Sequence, residues 1–270
     1  AENNRDKLVT FDELWNRLKR GTPEDKAWFD DYCKMARENY AQPYPRPWPC
    51  GSVLLAFDRR KAELLGHCVR IDTGSCEVRF LLDGRPARLI LFNEMNADRL
   101  WMRMVDDLDK PILAPFDRVR LIPEKGMATE TTSGTDTLSF RQVLPVLGDD
   151  RDKDEALRVA VRVNGRIGTP LIQDAPFVAC VQLEHGTARI LSKPDAKVPE
   201  PSDDAFAAAS AQAARVWKDY WSRSGVQLDD VFLDQTWYRN MYFLNCAVRP
   251  GEVCPGRTAQ FRKYMLRYQV

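Results

Sequence analysis

The sequence predicts a mixed fold in which an antiparallel β-sandwich is followed by α-helices. Residues 51–191 contain short stretches of alternating apolar and polar side chains, separated by turn signals. Residues 11–40 and 203–248 instead repeat apolar side chains at helical spacing. A Pro-containing connector at 193–203 separates the strands from the second helical zone. Many short strands joined by turns favour an antiparallel sandwich over a parallel sheet with crossover helices.

The first helical zone contains two predicted helices. Phe11, Trp15 and Leu18 recur at helical spacing, and Thr22 before Pro23 is typical of an N-cap followed by proline at the first helical position. The alternating prolines of residues 41–50 exclude both a helix and a central strand. We expect an ordered loop there, and the alternative is a polyproline ligand for another protein.

The strand zone is predicted from period-two patterns and hairpin turns. Asp83-Gly84 and Asn164-Gly165 are typical hairpin turns, and residues 125–139, rich in Thr, Ser and Gly, favour a surface loop. Within the sandwich we expect Val159, Val161 and Val163 to face the core while Arg158 and Arg162 face solvent. The predicted strands cover residues 53–57, 78–82, 87–92, 100–105, 157–163, 177–183 and 188–191.

The second helical zone predicts a capped helix and a second, strongly apolar one. Ser202 is the expected N-cap of the first helix, and the second begins near Asp229 or Asp230. An apolar stripe lies beside an aromatic one on the second helix, which predicts burial on most sides by further helices. The first stripe contains Leu233, Trp237, Met241, Leu244 and Val248, and the second contains Tyr238, Tyr242 and Asn245.

This pattern predicts three segments. Residues 1–200 form a sandwich domain with an N-terminal helical segment, residues 201–223 form a linker helix, and residues 224–270 begin a helical domain. The last segment is expected to be incomplete, because its apolar helix needs more helical partners than the chain supplies.

The composition excludes several classes of protein. The 270 residues carry 40 Lys and Arg against 39 Asp and Glu, so the formal net charge is +1. No overall positive field would attract nucleic acid or an anionic membrane surface. No apolar run approaches the roughly 20 residues of a membrane helix, and no secretion signal opens the sequence. The sequence therefore indicates a globular protein, or a piece of one, with no nucleic-acid or membrane partner and with a localisation that it does not reveal.

The cysteines and histidines do not predict a metal centre. Seven cysteines show no C-x-x-C spacing, and only His67 and His185 could join them as ligands. His67 and Cys68 are interpreted as a solvated pair at a strand edge. Cys68 and Cys76 flank a turn and could face each other across a hairpin, where two core thiols are expected unless the protein is exported.

No motif in the sequence identifies a catalytic centre. Nucleophile elbows, phosphate-binding glycine loops, zinc-protease motifs and dinucleotide fingerprints are all absent. Adjacent carboxylates could suit glycoside hydrolysis, but such pairs are normally solvated or cap a helix. The pairs are Asp106-Asp107, Asp149-Asp150, Asp203-Asp204 and Asp229-Asp230.

The order of the segments resembles glycoside hydrolase family 95, a family of α-L-fucosidases. Residues 241–256 (MYFLNCAVRPGEVCPG) resemble the helix and loop that open the family's catalytic barrel, with its R-P-G element at 249–251. Only Pro255 matches the next loop. Residues 220–228 resemble the linker into the barrel, while residues 64–72 and 78–92 resemble strands of the family's sandwich.

The resemblance implies a fragment of an inverting glycoside hydrolase that contains the sandwich, the linker helix and the start of an (α/α)6 barrel. In such an enzyme a general acid protonates the leaving oxygen while a base activates water across a gap. The family's catalytic groups follow the R-P-G loop, but residues 257–270 bear no likeness to that part of the family. The family's initial sandwich strands are also missing before Ala1. No catalytic or substrate-binding residue is therefore assigned, and no metal or cofactor is expected.

By itself the chain is expected to be inactive, with the carbohydrate substrate bound by the full-length protein. We expect the helix at 230–248 to expose Trp237, Met241 and Tyr242 or their neighbours, which would favour self-association. The alternative is a non-catalytic carbohydrate-binding or interaction module, in which exposed sandwich aromatics stack on sugar rings. A third possibility is a structural domain of a larger assembly.

Overall fold

The computed structural model describes residues 9–41, 50–94, 96–125, 128–144, 155–191 and 198–247. Two compact units are present in the chain. One contains helices α1 (Phe11–Arg20) and α2 (Pro23–Ala41). The other contains ten strands followed by helices α3 (Asp203–Arg223) and α4 (Val231–Ala247).

Threonine caps start both N-terminal helices. The hydroxyl of Thr10 accepts a hydrogen bond from the backbone amide three residues on at 3.2 Å, and Thr22 does the same at 3.1 Å. Gly21 ends α1 in the left-handed conformation, with a φ of 62°. Arg20 donates a 2.8 Å hydrogen bond to Asp25, which holds the pKa of that carboxyl below its usual value. The helical pattern predicted for this zone is confirmed.

The ten strands form two antiparallel sheets. The strands are β1 (Ser52–Phe57), β2 (Ala62–Arg70), β3 (Ser75–Leu82), β4 (Arg85–Asn93), β5 (Arg99–Asp106), β6 (Phe116–Ile122), β7 (Thr129–Ser133), β8 (Thr137–Val143), β9 (Glu155–Val163) and β10 (Val178–Thr187). The larger sheet has the order β2-β3-β4-β5-β10-β9-β8-β7, and β1 pairs with β6 in the smaller one.

The main hydrophobic core lies between the two sheets. Phe116 of the small sheet contacts Phe80 of the large sheet edge-on, with ring centroids 6.3 Å apart. Val159, Val161 and Val163 are buried in this core, as the alternation of β9 predicts. The sheets therefore form the predicted sandwich.

Helix α3 covers part of the opposite face of the large sheet. Ser202 caps it by accepting a 3.1 Å hydrogen bond from the backbone amide of Ala205, as predicted. Phe206 packs edge-on against Phe92 with ring centroids 5.2 Å apart. The helix buries Phe206, Ala209, Ala213 and Trp217, whose spacing places them on one face.

Four details of the strand prediction are wrong. Residues 125–139, predicted as a loop, contain β7 and the start of β8; β7 is exposed throughout, so no apolar alternation marks it. Residues 188–191 form a turn. Asn164-Gly165 is no two-residue hairpin, because residues 164–177 separate β9 from β10. Strand β6 was not predicted, although it contributes Phe116 and Val119 to the core.

Arg158 does not face solvent as predicted. It is only 5% exposed, and its guanidinium lies 3.2 Å from the carboxylate of Glu184 and donates to the carbonyl of Leu191. These acceptors compensate for burial of the charge. Arg162 is half-buried and donates a 2.6 Å hydrogen bond to Asp136.

Three predicted features lie outside the described residues: the Pro-rich loop at 42–49, most of the connector at 192–197, and the R-P-G segment at 249–256. The predicted division at residues 200 and 223 stays a prediction. None of the helices in the described ranges combines the length and apolar character needed to cross a membrane.

Candidate interaction site on the C-terminal helix

An aromatic cluster joins α4 to α3. Trp217 of α3 stacks on Tyr242 of α4, with ring centroids 5.0 Å apart and planes inclined by 24°. One turn along α3, Trp221 contacts Tyr238 of α4 at 5.7 Å. Because the paired residues are four apart on each helix, the two aromatic contacts lie on successive helical turns, and together they hold α3 against α4.

The polar end of each of three aromatic side chains in this cluster reaches a backbone carbonyl. Tyr220 donates to the carbonyl of Met241, Tyr238 to that of Val226, and Trp221 to that of Ile71, each at 2.9 Å. The first two bonds tie α3 to α4 and α4 to the segment before it. The third ties α3 to the turn between β2 and β3.

Gly74 in the β2–β3 turn makes close packing of α3 possible. Its φ is +66°, in the left-handed region that favours glycine. A Cβ atom built at this position would lie only 1.9 Å from Nε1 of Trp217. Glycine is thus required here both by the backbone conformation and by the approach of the indole ring.

Burial raises the pKa of three ionisable groups in this cluster. Burial, with a hydrogen bond to Cys246, raises the pKa of Tyr242 to about 12. Burial also raises the pKa of Tyr220 and of the Cys246 thiol. All three groups are therefore protonated at neutral pH, and their aromatic contacts and hydrogen bonds pack α3 against α4.

The side of α4 directed away from the aromatic cluster is apolar and exposed. Two phenylalanines and two leucines there are each between 53% and 70% exposed. Such a concentration of exposed large apolar side chains on one helix is typical of an interaction surface. We call it the α4 apolar face; its members are Phe232, Leu233, Phe243 and Leu244.

The structure corrects the prediction of which α4 side chains are exposed. The aromatic stripe, Tyr238 and Tyr242, makes the contact with α3, while Leu233 and Leu244 of the other stripe are exposed. Trp237 and Met241 are half-buried. Burial on most sides is therefore not achieved within the described chain.

The described carboxylate pairs have structural roles. Asp106 accepts backbone hydrogen bonds from Leu108 and Lys110 in a turn. Asp230 caps α4 by accepting from the backbone amides of Phe232 and Leu233. Asp203 begins α3, 3.8 Å from Arg103. The pair at 149–150 lies outside the described residues.

The cysteines differ from the prediction. The register of β2 and β3 places Cys68 opposite Glu77 and Cys76 opposite Val69, so the two thiols point to opposite faces of the sheet. Cys68 is exposed and Cys76 half-buried, so they are not a pair of core thiols. His67 and Cys68 do lie exposed on an edge strand, as predicted.

Two other features of the described chain do not form a reaction centre. No three His, Cys, Asp or Glu side chains in the described ranges are grouped to hold a metal ion. An open cavity of about 290 Å³ lies in the α1–α2 hairpin, lined in part by Leu18, Phe29 and Asp25. The carboxylate of Asp25 already accepts hydrogen bonds from Arg20 and Thr22.

Sequence comparisons identify no family: no protein-family model matches the chain, and the search of curated proteins found no match. Among solved structures, the chain is similar to a protein described as a kojibiose phosphorylase from the human microbiome. That likeness covers 71% of this chain at 8% identity, with a TM-score of 0.43. The chain spans 28% of the length of that protein.

Proposed function

We propose that this chain is the N-terminal part of a carbohydrate-active enzyme of the glycoside hydrolase type. In this proposal the sandwich and α3 support a helical catalytic domain, and α4 is the first helix of that domain. The observation that carries the proposal is the α4 apolar face. A helix held on one side by an aromatic cluster and apolar on the other has the character of an interior helix.

The order of elements supports the same proposal. A sandwich, a linker helix and an apolar helix follow one another in the order that the sequence resemblance to glycoside hydrolase family 95 implies. Inversion of an α-L-fucoside or a related glycoside is the chemistry of that resemblance. The specific family and the inverting mechanism belong to the proposal.

The described chain would supply a scaffold rather than the reacting groups. Inverting hydrolysis needs an acid and a base about 6.5–9.5 Å apart, with room for water between them. The described carboxylate pairs instead belong to turns and helix starts, as shown for Asp106 and Asp230. We therefore propose that the catalytic residues lie in the helical domain.

The alternative of a sugar-binding sandwich receives no support from the strands. Stacking on a sugar ring needs an aromatic side chain that is open to solvent. Every aromatic residue in the ten strands is instead buried or half-buried, namely Phe57, Phe80, Phe92, Trp101, Phe116 and Phe140.

The proposal is tested by reading the genomic sequence downstream of the codon for Val270 in all three frames. We expect segments encoding further amphipathic helices, with asparagine and acidic residues at the barrel positions of family 95. A stop codon with no such segment in any frame would contradict the proposal and favour a stand-alone interaction module.

A further inference from the structure

Strand β2 is an open edge of the large sheet. Among the described residues it pairs only with β3, so one side of its backbone has no strand partner. Leu64, Leu65 and Val69 are 44–54% exposed along this strand. An edge of nine residues with exposed apolar side chains is a template for addition of another strand.

The two ends of the large sheet differ in how they are protected. Strand β7 at the other end has only five residues, Thr129–Ser133, all polar and exposed. Short polar strands are a common protection against edge-to-edge pairing. Strand β2 contains neither proline nor lysine, and its main irregularity is a bulge at Leu65, where the register with β3 shifts.

We propose that β2 pairs antiparallel with β2 of a second copy of this chain, about a two-fold axis at His67. This surface is separate from the α4 apolar face, and the proposal does not depend on the proposed function. A two-fold axis perpendicular to a sheet requires a residue that faces its own copy. His67, at the centre of the exposed part of β2, satisfies this condition.

The side chains of β2 are self-complementary about this axis. Because Leu65 is the extra residue of the bulge, residues 64 and 69 fall opposite each other in the two copies, as do residues 63 and 70. The pairing with β3 shows that Leu64 and Val69 share one face of the sheet, while Glu63 and Arg70 share the other. Each leucine would therefore meet a valine, and each carboxylate would meet a guanidinium.

Both charged groups are available for this contact. Glu63 is exposed, and Arg70 is about half-exposed while it pairs with Asp72 at 2.9 Å. A second carboxylate can approach the open side of that guanidinium. The symmetric dimer contains this contact twice, so a reversal of either charge would place like charges opposite each other at two positions.

The test is the dimer dissociation constant of the full chain, measured by sedimentation velocity. All proteins carry Phe232→Glu and Phe243→Glu, which remove association through α4. We expect a discrete dimer that Glu63→Arg or Arg70→Glu alone weakens about tenfold. The double variant Glu63→Arg/Arg70→Glu restores the parent affinity, because the opposite charges again face each other.

Circular dichroism and thermal unfolding test whether each variant is folded. We expect all of them to fold, because the substituted side chains are exposed. The control is Glu130→Arg on β7, an exposed charge at the other edge, which leaves the dimer unchanged. A monomer at every concentration, a dimer indifferent to both single reversals, or a double variant without recovery would each overturn the proposal. None of these results bears on the downstream sequence that tests the proposed function.

Discussion

Single residues determine how closely helix α3 packs against the sandwich. Gly74 gives the clearest case, because its left-handed backbone and the indole of Trp217 both exclude a side chain. In a sequence without structure, this glycine is indistinguishable from an ordinary turn residue. Its second role depends on a tryptophan that lies 143 positions later in the chain.

We predict that Gly74→Ala destabilises the protein by about 2–5 kcal/mol, because the added methyl group strains the left-handed backbone and displaces the buried Trp217 ring. The matched control is Gly84→Ala. Gly84 also has a positive φ, 78°, but its Cβ would meet no atom within 4 Å, so only about 1–2 kcal/mol of backbone strain is expected. Urea unfolding followed by tryptophan fluorescence measures both. Equal losses would show that Trp217 does not pack on the turn.

Residues of β9 provide a second prediction at this scale. Val161→Asp places an unpaired charge in a position with no exposed surface, and we expect a loss of at least about 4 kcal/mol in unfolding free energy. Arg162→Ser removes a half-buried ion pair with Asp136 and is expected to cost about 1 kcal/mol or less. Thermal and urea unfolding give the comparison. Similar losses for the two variants would mean that the alternation of β9 is assigned to the wrong faces.

Arg158 shows why sequence pattern alone misassigned one face of β9. Alternation places an arginine on the side opposite the valines, and that side is commonly solvated in an antiparallel sheet. Here the carboxylate of Glu184 and the carbonyl of Leu191 enclose the guanidinium. Replacing Arg158 leaves Glu184 without this partner, so this position is far less tolerant than the pattern predicts.

At the scale of elements, the sequence predicts a helix or hairpin correctly where a cap or turn residue within that element determines it. Threonine and serine caps predicted the starts of α2 and α3, and the Asp83-Gly84 turn predicted the β3–β4 hairpin. The sequence does not predict strand β7, because all its side chains are exposed and no alternation of apolar and polar residues marks it. The two stripes of α4 were recognised, but which stripe meets α3 depends on Trp217 and Trp221.

The α4 apolar face predicts association of the purified chain. We expect light scattering to show oligomers or aggregates and a hydrophobic dye to bind, because its four large apolar side chains are exposed on one helix. Phe232→Glu with Phe243→Glu should abolish most dye binding without lowering the unfolding temperature.

The matched control acts on the opposite side of the same helix. Tyr242→Ala removes the stacking partner of Trp217, so the unfolding temperature should fall and dye binding should rise. A wild-type chain that stays monomeric and binds no dye would count against α4 as the first helix of an incomplete helical domain.

At the scale of the whole molecule, the described residues form a buried hydrophobic core, but some of their large apolar side chains stay exposed to solvent. The core between the sheets and the contact of α3 with the large sheet bury many of the apolar side chains of the sandwich. The exposed apolar side chains of the described residues include those of the α4 apolar face and of the β2 edge. The sequence predicts an exposed apolar helix near α4. The β2 edge depends on the order of strands in the sheet, and a turn signal shows only that two successive strands form a hairpin.

The final prediction concerns catalysis by the chain alone. Assayed over a panel of aryl glycosides that includes aryl α-L-fucosides, it should show no turnover above the uncatalysed background. Under the proposed function, inversion needs an acid and a water-activating base held together across the sugar, and a sandwich with one helix of the proposed catalytic domain would build at most one wall of such a site. The informative control is a chimera that joins residues 1–247 to the remaining barrel of a family 95 enzyme, where activity is expected if α4 packs into that barrel. Turnover by the native chain that survives repurification and disappears when Asp106 or Asp230 is changed to Asn would place the chemistry in the sandwich and its first helices instead.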